Sequence, residues 1–204
     1  FKELLIIDTI NKNLSHSRNI GLGKCIHDLI LTTDDDARPY PNWIEKIIFY
    51  HQKYPKAGNI GGPVFDNQNV TFLSKIADVV TFPHHKKEKK VKTIPGVNSS
   101  FKRAAILEVG EYDTLLFRGE DVDYNWRVLK KGWDIIYVPS IKVKHIHRNT
   151  WLKLFHQHYM YGRAYFILRK KWENMYSIYP NKIETYRDII KYIASWTYTP
   201  FMDA

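Results

Sequence analysis

Leu29-Ile30-Leu31-Thr32-Thr33-Asp34-Asp35-Asp36 runs from an apolar stretch straight into three consecutive carboxylates. The apolar part reads as a short buried strand. Adjacent carboxylates repel one another and solvate strongly, so folding alone gives no reason to set them at the end of such a strand. A divalent cation does: hard metals take oxygen ligands, and one held at a strand's C-terminal edge can grip a phosphate group. Helix capping is the competing explanation, but the next helix signal, Asn42-Trp43-Ile44-Glu45, comes too late for Asp36 to cap it. A phosphatase opening on an aspartate nucleophile would continue with Gly-Thr, whereas Ala37-Arg38-Pro39 follows here.

Outward from that stretch, strands and helices alternate. Leu4–Ile7 reads as a strand, Ser17–His27 as a helix weakened by Gly21 and Gly23, and Asn42 as the start of a helix to about Tyr54. Ile60-Gly61-Gly62-Pro63-Val64 reads as a strand with close backbone approach, and Val70–Val80 has helical spacing. His84–Lys92 is a basic stretch expected to be a solvated loop. A strand at Asn98–Phe101, helices at Ala104–Val109 and Asp121–Lys131, and a strand at Asp134–Val138 follow. Helices are expected at Trp151–Trp172 and Lys182–Trp196. The alternation predicts an α/β fold with a mainly parallel sheet flanked by helices, over residues 1–150, and a C-terminal helical extension over 151–204. Such sheets bind ligands beyond the C-terminal edges of their strands.

The chain has 204 residues, 44% of them hydrophobic, enough for one domain with a real core. The net charge of +10 suits an anionic partner without choosing among nucleotides, phospholipid surfaces and acidic glycans. A single cysteine, Cys25, excludes an internal disulfide and points to a reducing, cytoplasmic setting. No apolar run approaches the ~20 residues that span a bilayer. The start at Phe1, directly before an apolar stretch, leads us to expect a preceding segment that this sequence does not contain.

Two further clusters carry chemistry. Gly119-Glu120-Asp121-Val122-Asp123 concentrates acid at the start of a helix. Capping and catalysis both account for those residues, since a carboxylate placed there can also take a proton from an attacking hydroxyl. His145 and His147 alternate on a strand and so share a face. Together with Asp34 and Asp36 they make a mixed oxygen and nitrogen donor set, better suited to Mn²⁺ than to Mg²⁺.

In this order the motifs resemble those of the family 2 glycosyltransferases with the GT-A fold. Ser17-Arg18-Asn19-Ile20-Gly21 resembles that family's ARN-x-G segment, and Asp34-Asp35-Asp36 its DxD motif with Trp43 following. Gly96-Val97-Asn98 resembles its Gly-x-Asn strand, and Glu120-Asp121 with Arg127 its ED motif. Pro139–His145 resembles the segment that carries a late metal-ligand histidine. The resemblance implies inverting transfer of a sugar from a nucleotide-sugar, UDP-linked by expectation, to a glycan, lipid-linked or peptide acceptor. Asp121 would be the general base and Glu120 would orient acceptor or base. Asp36, Asp34 and His145 would hold the metal, with His147 as the alternate to His145. Asp34, Asp35, Arg18, Gly96, Asn98 and Arg127 would contact substrate. The family's segment for the nucleotide base is not in the chain, so a preceding segment or a second chain is expected to complete the site. The Gln-x-x-Arg-Trp motif of processive synthases is absent, which predicts one sugar per event.

Two other readings compete. A nucleotidyltransferase of similar fold would need a glycine-rich phosphate loop. A basic scaffold would bind nucleic acid in a salt-sensitive way, yet no nucleic-acid motif is present and the acidic clusters would repel a phosphate backbone. The stretch after Trp151 interleaves Leu152, Phe155, Tyr159 and Phe166 with Lys153, Arg163 and Arg169. It reads as a helix packed on the domain, and alternatively as a peripheral contact with an anionic membrane.

Overall fold

The computed structural model describes residues 5–10, 12–66, 82, 84–145 and 150–172. Its elements are α1 (Leu14–Lys24), β1 (Leu29–Thr32), β2 (Ala37–Pro39), α2 (Trp43–Lys53), β3 (Ala57–Gly61), β4 (Val64–Asp66), β5 (Lys89–Lys90), a single 3₁₀ turn (Gly96–Asn98), β6 (Ser99–Lys102), α3 (Arg103–Val109), α4 (Glu120–Lys130), β7 (Asp134–Tyr137), β8 (Val143–His145) and α5 (Trp151–Lys171).

Two consecutive isoleucines on β7 define the layers. Neighbouring residues on a strand point to opposite faces. Ile136 joins Trp43, Ile47, Ile60, Val138 and Val143 in one cluster, beneath α2. Ile135 joins Ile94, Phe101, Tyr112, Tyr124 and Val128 in the other, beneath α4. A strand covered on both faces is why this stretch reads as an unbroken apolar run. On α2 the buried positions are Trp43, Ile47 and His51, four residues apart on one helical face.

The larger sheet has the order β1-β6-β3-β7-β5 and the smaller β2-β8-β4. β6 runs antiparallel to both β1 and β3, and β5 antiparallel to β7. Among the described residues only β3–β7 and β4–β8 are parallel pairs. The sheet is therefore mixed rather than mainly parallel. The reason is the direction in which β6 enters: its first residue, Ser99, lies opposite the last residues of β1 and β3, Thr32 and Gly61. That entry sets the Gly96–Asn98 turn at the edge where β1 releases its acidic run.

Close backbone approach at Gly61 and Gly62 is as expected: a Cβ at Gly61 would stand 2.0 Å from the Asn98 carbonyl oxygen, and one at Gly62 2.2 Å from that of Ile141. Several local expectations change. Leu5 and Ile6 are exposed and Leu5–Ile7 joins no strand, because a short apolar run without a hydrogen-bonding neighbour has nothing to hold it in a sheet. α2 begins after Asn42 in the left-handed conformation, φ 62°, and the expected side-chain cap is not formed. The basic 84–92 stretch is not a free loop: Lys89 and Lys90 pair with β7, and Glu88 accepts hydrogen bonds from Tyr50 and Lys53. The helices expected at 70–80 and 182–196 lie outside the described residues.

Inside the α2 layer, His51 is 5% exposed, and its Nε2 lies 3.0 Å from the Ser100 hydroxyl. Burial pushes this imidazole down to about 4. Below pH 6.5 the unfolded chain takes up a proton that the folded chain refuses until about pH 4. This contribution to stability is thus complete above pH 6.5 and is lost as the pH falls through that window, on the order of 3 kcal/mol. Urea denaturation at a series of pH values checks it. The His51→Gln variant is expected to have a flatter stability profile between pH 6.5 and 4.5, and an unchanged slope would place the acid sensitivity elsewhere.

Candidate active site

The three residues able to hold a cation are brought together by strand register. Asp34 closes a turn in which the Ala37 amide donates to the Asp34 carbonyl at 3.2 Å. Ala37 then pairs with His145 across β2 and β8, which sets the imidazole beside the turn. His145 Nε2 lies 3.1 Å from Asp36 Oδ1 and 3.9 Å from Asp34 Oδ2. One ligand atom from each of Asp34, Asp36 and His145 falls within 4.8 Å of the others. Two carboxylates and an imidazole that converge in this way, part exposed to solvent, fit a divalent cation of intermediate hardness. Asp35 is exposed on the same turn and joins none of these contacts. His147 lies outside the described residues.

Arg18 links this turn to the second acidic cluster. α1 has no strong apolar face and is tied down by polar contacts. Asn13 donates to Thr114 O at 2.7 Å, and the Asn19 side chain exchanges two hydrogen bonds with the Tyr112 backbone. These ties point Arg18 inward, where its guanidinium stands 5.5 Å from the centre of the Tyr112 ring. Arg18 Nη1 donates to Glu120 Oε1 at 2.6 Å, and Nη2 lies 3.9 Å from Asp34 Oδ1. Gly96 makes room for it: a Cβ there would stand 2.5 Å from Arg18 Nη2. Burial, then the neighbouring Asp121, pushes the Glu120 carboxyl up, and Arg18 opposes both. Burial likewise raises Asp34, against the pull of Arg18 and His145.

Asp121 opens α4, next to Glu120 but less buried. Its Oδ2 accepts the Gly96 amide at 3.1 Å and its Oδ1 the Val122 amide at 2.8 Å. Its own carbonyl accepts Asn125 Nδ2 at 2.7 Å, and Asn125 Oδ1 in turn accepts from Asn59 on β3 at 2.6 Å. The carboxylate is thus oriented by two amides and referenced to the middle of the sheet.

Two residues that the resemblance assigns to substrate are also held within the fold. Asn98 is fully buried; it accepts from Trp43 Nε1 at 2.9 Å and donates to the carbonyls of Ile141 at 2.9 Å and Pro63 at 3.1 Å. It braces β6 to the loops on either side. Arg127 donates to Asp123 at 3.0 Å and to Glu111 O at 2.7 Å, and its guanidinium lies over the Tyr124 ring. Six residues beyond Asp121 it sits roughly two thirds of a turn round the helix. Sequence reasoning did not single out Tyr161 on α5. Tyr161 accepts from Gln157 at 2.8 Å and lies within electrostatic reach of Glu120 and Asp121. The aromatic stripe of α5 was visible in the sequence, but which ring faces the acidic cluster depends on packing. The last turns of α5 are fixed by Lys171 on Asp113 and Asp123, and Trp172 Nε1 donates to Asp123 at 2.7 Å.

With this geometry in view, the comparisons with known proteins agree. The model of glycosyl transferase family group 2 matches residues 29–202. A glucosyl-dolichyl phosphate glucuronosyltransferase of Haloferax volcanii is 34% identical over 114 residues, covering 51% of this chain and 36% of that protein. A pre-mycofactocin glycosyltransferase of Mycobacterium tuberculosis is 26% identical over 150 residues, 68% of this chain and 31% of its own length. This chain spans about a third of the length of these curated relatives. Its fold is similar to that of GalNAc-T7, crystallised with UDP, GalNAc and Mn²⁺, with a TM-score of 0.56 and 15% identity, over 93% of this chain and 42% of the other.

Removing the Arg18 charge leaves Glu120 buried and unpaired, a change that costs about 3–5 kcal/mol in comparable pairs. Arg18→Met is therefore expected to lower the urea midpoint sharply at pH 7.5, and Arg18→Met with Glu120→Gln to recover most of the loss. A single variant as stable as the parent would show that the pair does not tie α1 to α4.

Proposed function

The chain belongs to glycosyl transferase family group 2, and from that premise we propose that it transfers a sugar from a UDP-sugar to an acceptor hydroxyl with inversion, Asp121 acting as general base. The observation that carries the proposal is the separation of labour around Arg18: a cation-binding turn on one side and an amide-oriented carboxylate on the other.

The Asp34-Asp36-His145 cluster would receive the donor's diphosphate; GalNAc-T7, a protein of similar fold, was crystallised with UDP, GalNAc and Mn²⁺. Asp34, Asp36 and His145 would hold a divalent cation, Mn²⁺ in preference to Mg²⁺ given the imidazole, and it would supply Lewis-acid neutralisation of charge on the leaving diphosphate. Arg18 adds a fixed positive charge beside Asp34. Asp121 accepts the acceptor's hydroxyl proton as the oxygen bonds to the anomeric carbon and the bond from that carbon to the diphosphate breaks. Attack from the face opposite the leaving group inverts the anomeric centre. Glu120, held by Arg18, keeps the start of α4 in place for that attack. Residues 1–150 carry these groups, and Tyr161 on α5 faces the acceptor side.

The acceptor is carried by a glycan, lipid or peptide; one relative is named for glucosyl-dolichyl phosphate. No described helix is long and apolar enough to cross a membrane, and a peripheral contact brings the chain to a lipid-linked acceptor.

Asp121→Asn is expected to lower turnover by about 10²–10⁴-fold, the range for loss of a general base. UDP release from a panel of UDP-sugars, followed with a cell-derived acceptor extract, reads it. Turnover at the parental rate would remove Asp121 from the mechanism.

A further inference from the structure

We infer that the outer face of α5 docks on the surface of an anionic phospholipid bilayer. From Trp151 to Lys171 the helix carries Lys153, Arg163, Arg169, Lys170 and Lys171, and no Asp or Glu. Its inner face is occupied: Ala164 and Leu168 are buried, Leu168 lying against Gly119, and Lys171 is engaged by Asp113 and Asp123. The opposite face presents Trp151, Leu152, Phe155, Tyr159 and Phe166, between 53% and 81% exposed. With 3.6 residues per turn these five positions fall within an arc of roughly 100°, the width of an apolar stripe. The Trp151 and Phe155 rings stand 6.1 Å apart within it. Arg163 and Lys170, both exposed, border the stripe. Tryptophan and tyrosine in an exposed apolar stripe favour the membrane-water interface over a soluble acidic partner, and a carboxylate-free basic border favours anionic headgroups over zwitterionic ones. A one-sided apolar stripe bordered by basic residues suits a helix lying along the surface.

The same helix also walls a groove of about 480 Å³, lined by Arg118, Leu152, Lys153, His156, Gln157 and Met160. Leu152 belongs to both stripe and groove. Gln157 binds Tyr161, which stands near Glu120 and Asp121. A molecule anchored in the bilayer can therefore lay an anionic headgroup between Arg118 and Lys153 and reach the acidic cluster without leaving the surface. Resting here on the transferase reading, this names the acceptor class as a hydroxyl on a phosphate-bearing lipid. The docking itself does not depend on that reading.

The test is sedimentation of the chain with phosphatidylcholine vesicles, pure or containing about one third phosphatidylglycerol, without donor or acceptor. We expect binding to the anionic vesicles, weakened by high salt, and little to the neutral ones. Trp151→Ser with Phe155→Ser and Tyr159→Ser, and separately Arg163→Gln with Lys170→Gln, are each expected to weaken it about ten-fold or more. These positions are exposed, so unchanged circular dichroism accompanies the loss. Asp121→Asn is expected to bind vesicles like the parent, which keeps failure of docking distinct from failure of catalysis. Absence of binding, binding indifferent to both sets of changes, or a stripe-dependent dimer that ignores lipid would overturn the proposal.

Discussion

The ion pair between Arg18 and Glu120 is the constraint on which the arrangement of this site depends. Both side chains are largely withdrawn from water, 13% and 7% exposed. A buried charge without its partner is costly, so the pair forces α1 and the start of α4 into one relative position. Everything at the centre is then defined by what Arg18 leaves room for. Gly96 has to lack a side chain, its amide becomes available to Asp121, and Asp34 is drawn toward the guanidinium. The Asp34–Asp36 turn and the carboxylate of Asp121 on α4 lie in separate parts of the chain, and the Arg18 guanidinium spans them.

Below that pair the support is mostly polar. Asn59, Asn125 and Ser99 form a buried chain of hydrogen bonds from the middle of the sheet to the backbone of Asp121. Asn98 and Trp43 do the same for the turn at Gly96. Buried amides of this kind are satisfied on every side, and a satisfied polar network fixes geometry more tightly than apolar packing does. It also explains why short strands suffice: β1 and β6 are four residues each, yet the loops leaving them are held from several directions.

The part of this that was legible in the sequence is the part carried by local pattern. The apolar run into Asp34–Asp36, the glycines at 61 and 62, and the acid cluster opening α4 each state a local physical problem whose solution is a strand end, a close approach or a helix start. Register explains the rest. Nothing local says that Ala37 pairs with His145, yet that pairing assembles the cation cluster. Nothing local turns β6 against its neighbours, so a parallel sheet was the natural reading. The resemblance implies substrate contacts for Asn98 and Arg127, and tertiary packing also engages both in bracing the fold. Tyr161 carries no local mark because aromatic residues are common on α5 and only packing selects among them.

On the proposed reading, the Asp34-Asp36-His145 cluster binds a donor phosphate through a metal while Asp121 acts separately on the acceptor. Calorimetric titration of UDP, with and without Mn²⁺, tests it most directly. Mn²⁺-dependent heat is expected in the parent chain, the same heat in Asp121→Asn, and loss of it in Asp36→Ala. UDP binding that is indifferent to Mn²⁺ and to Asp36, or that disappears in Asp121→Asn, would contradict it.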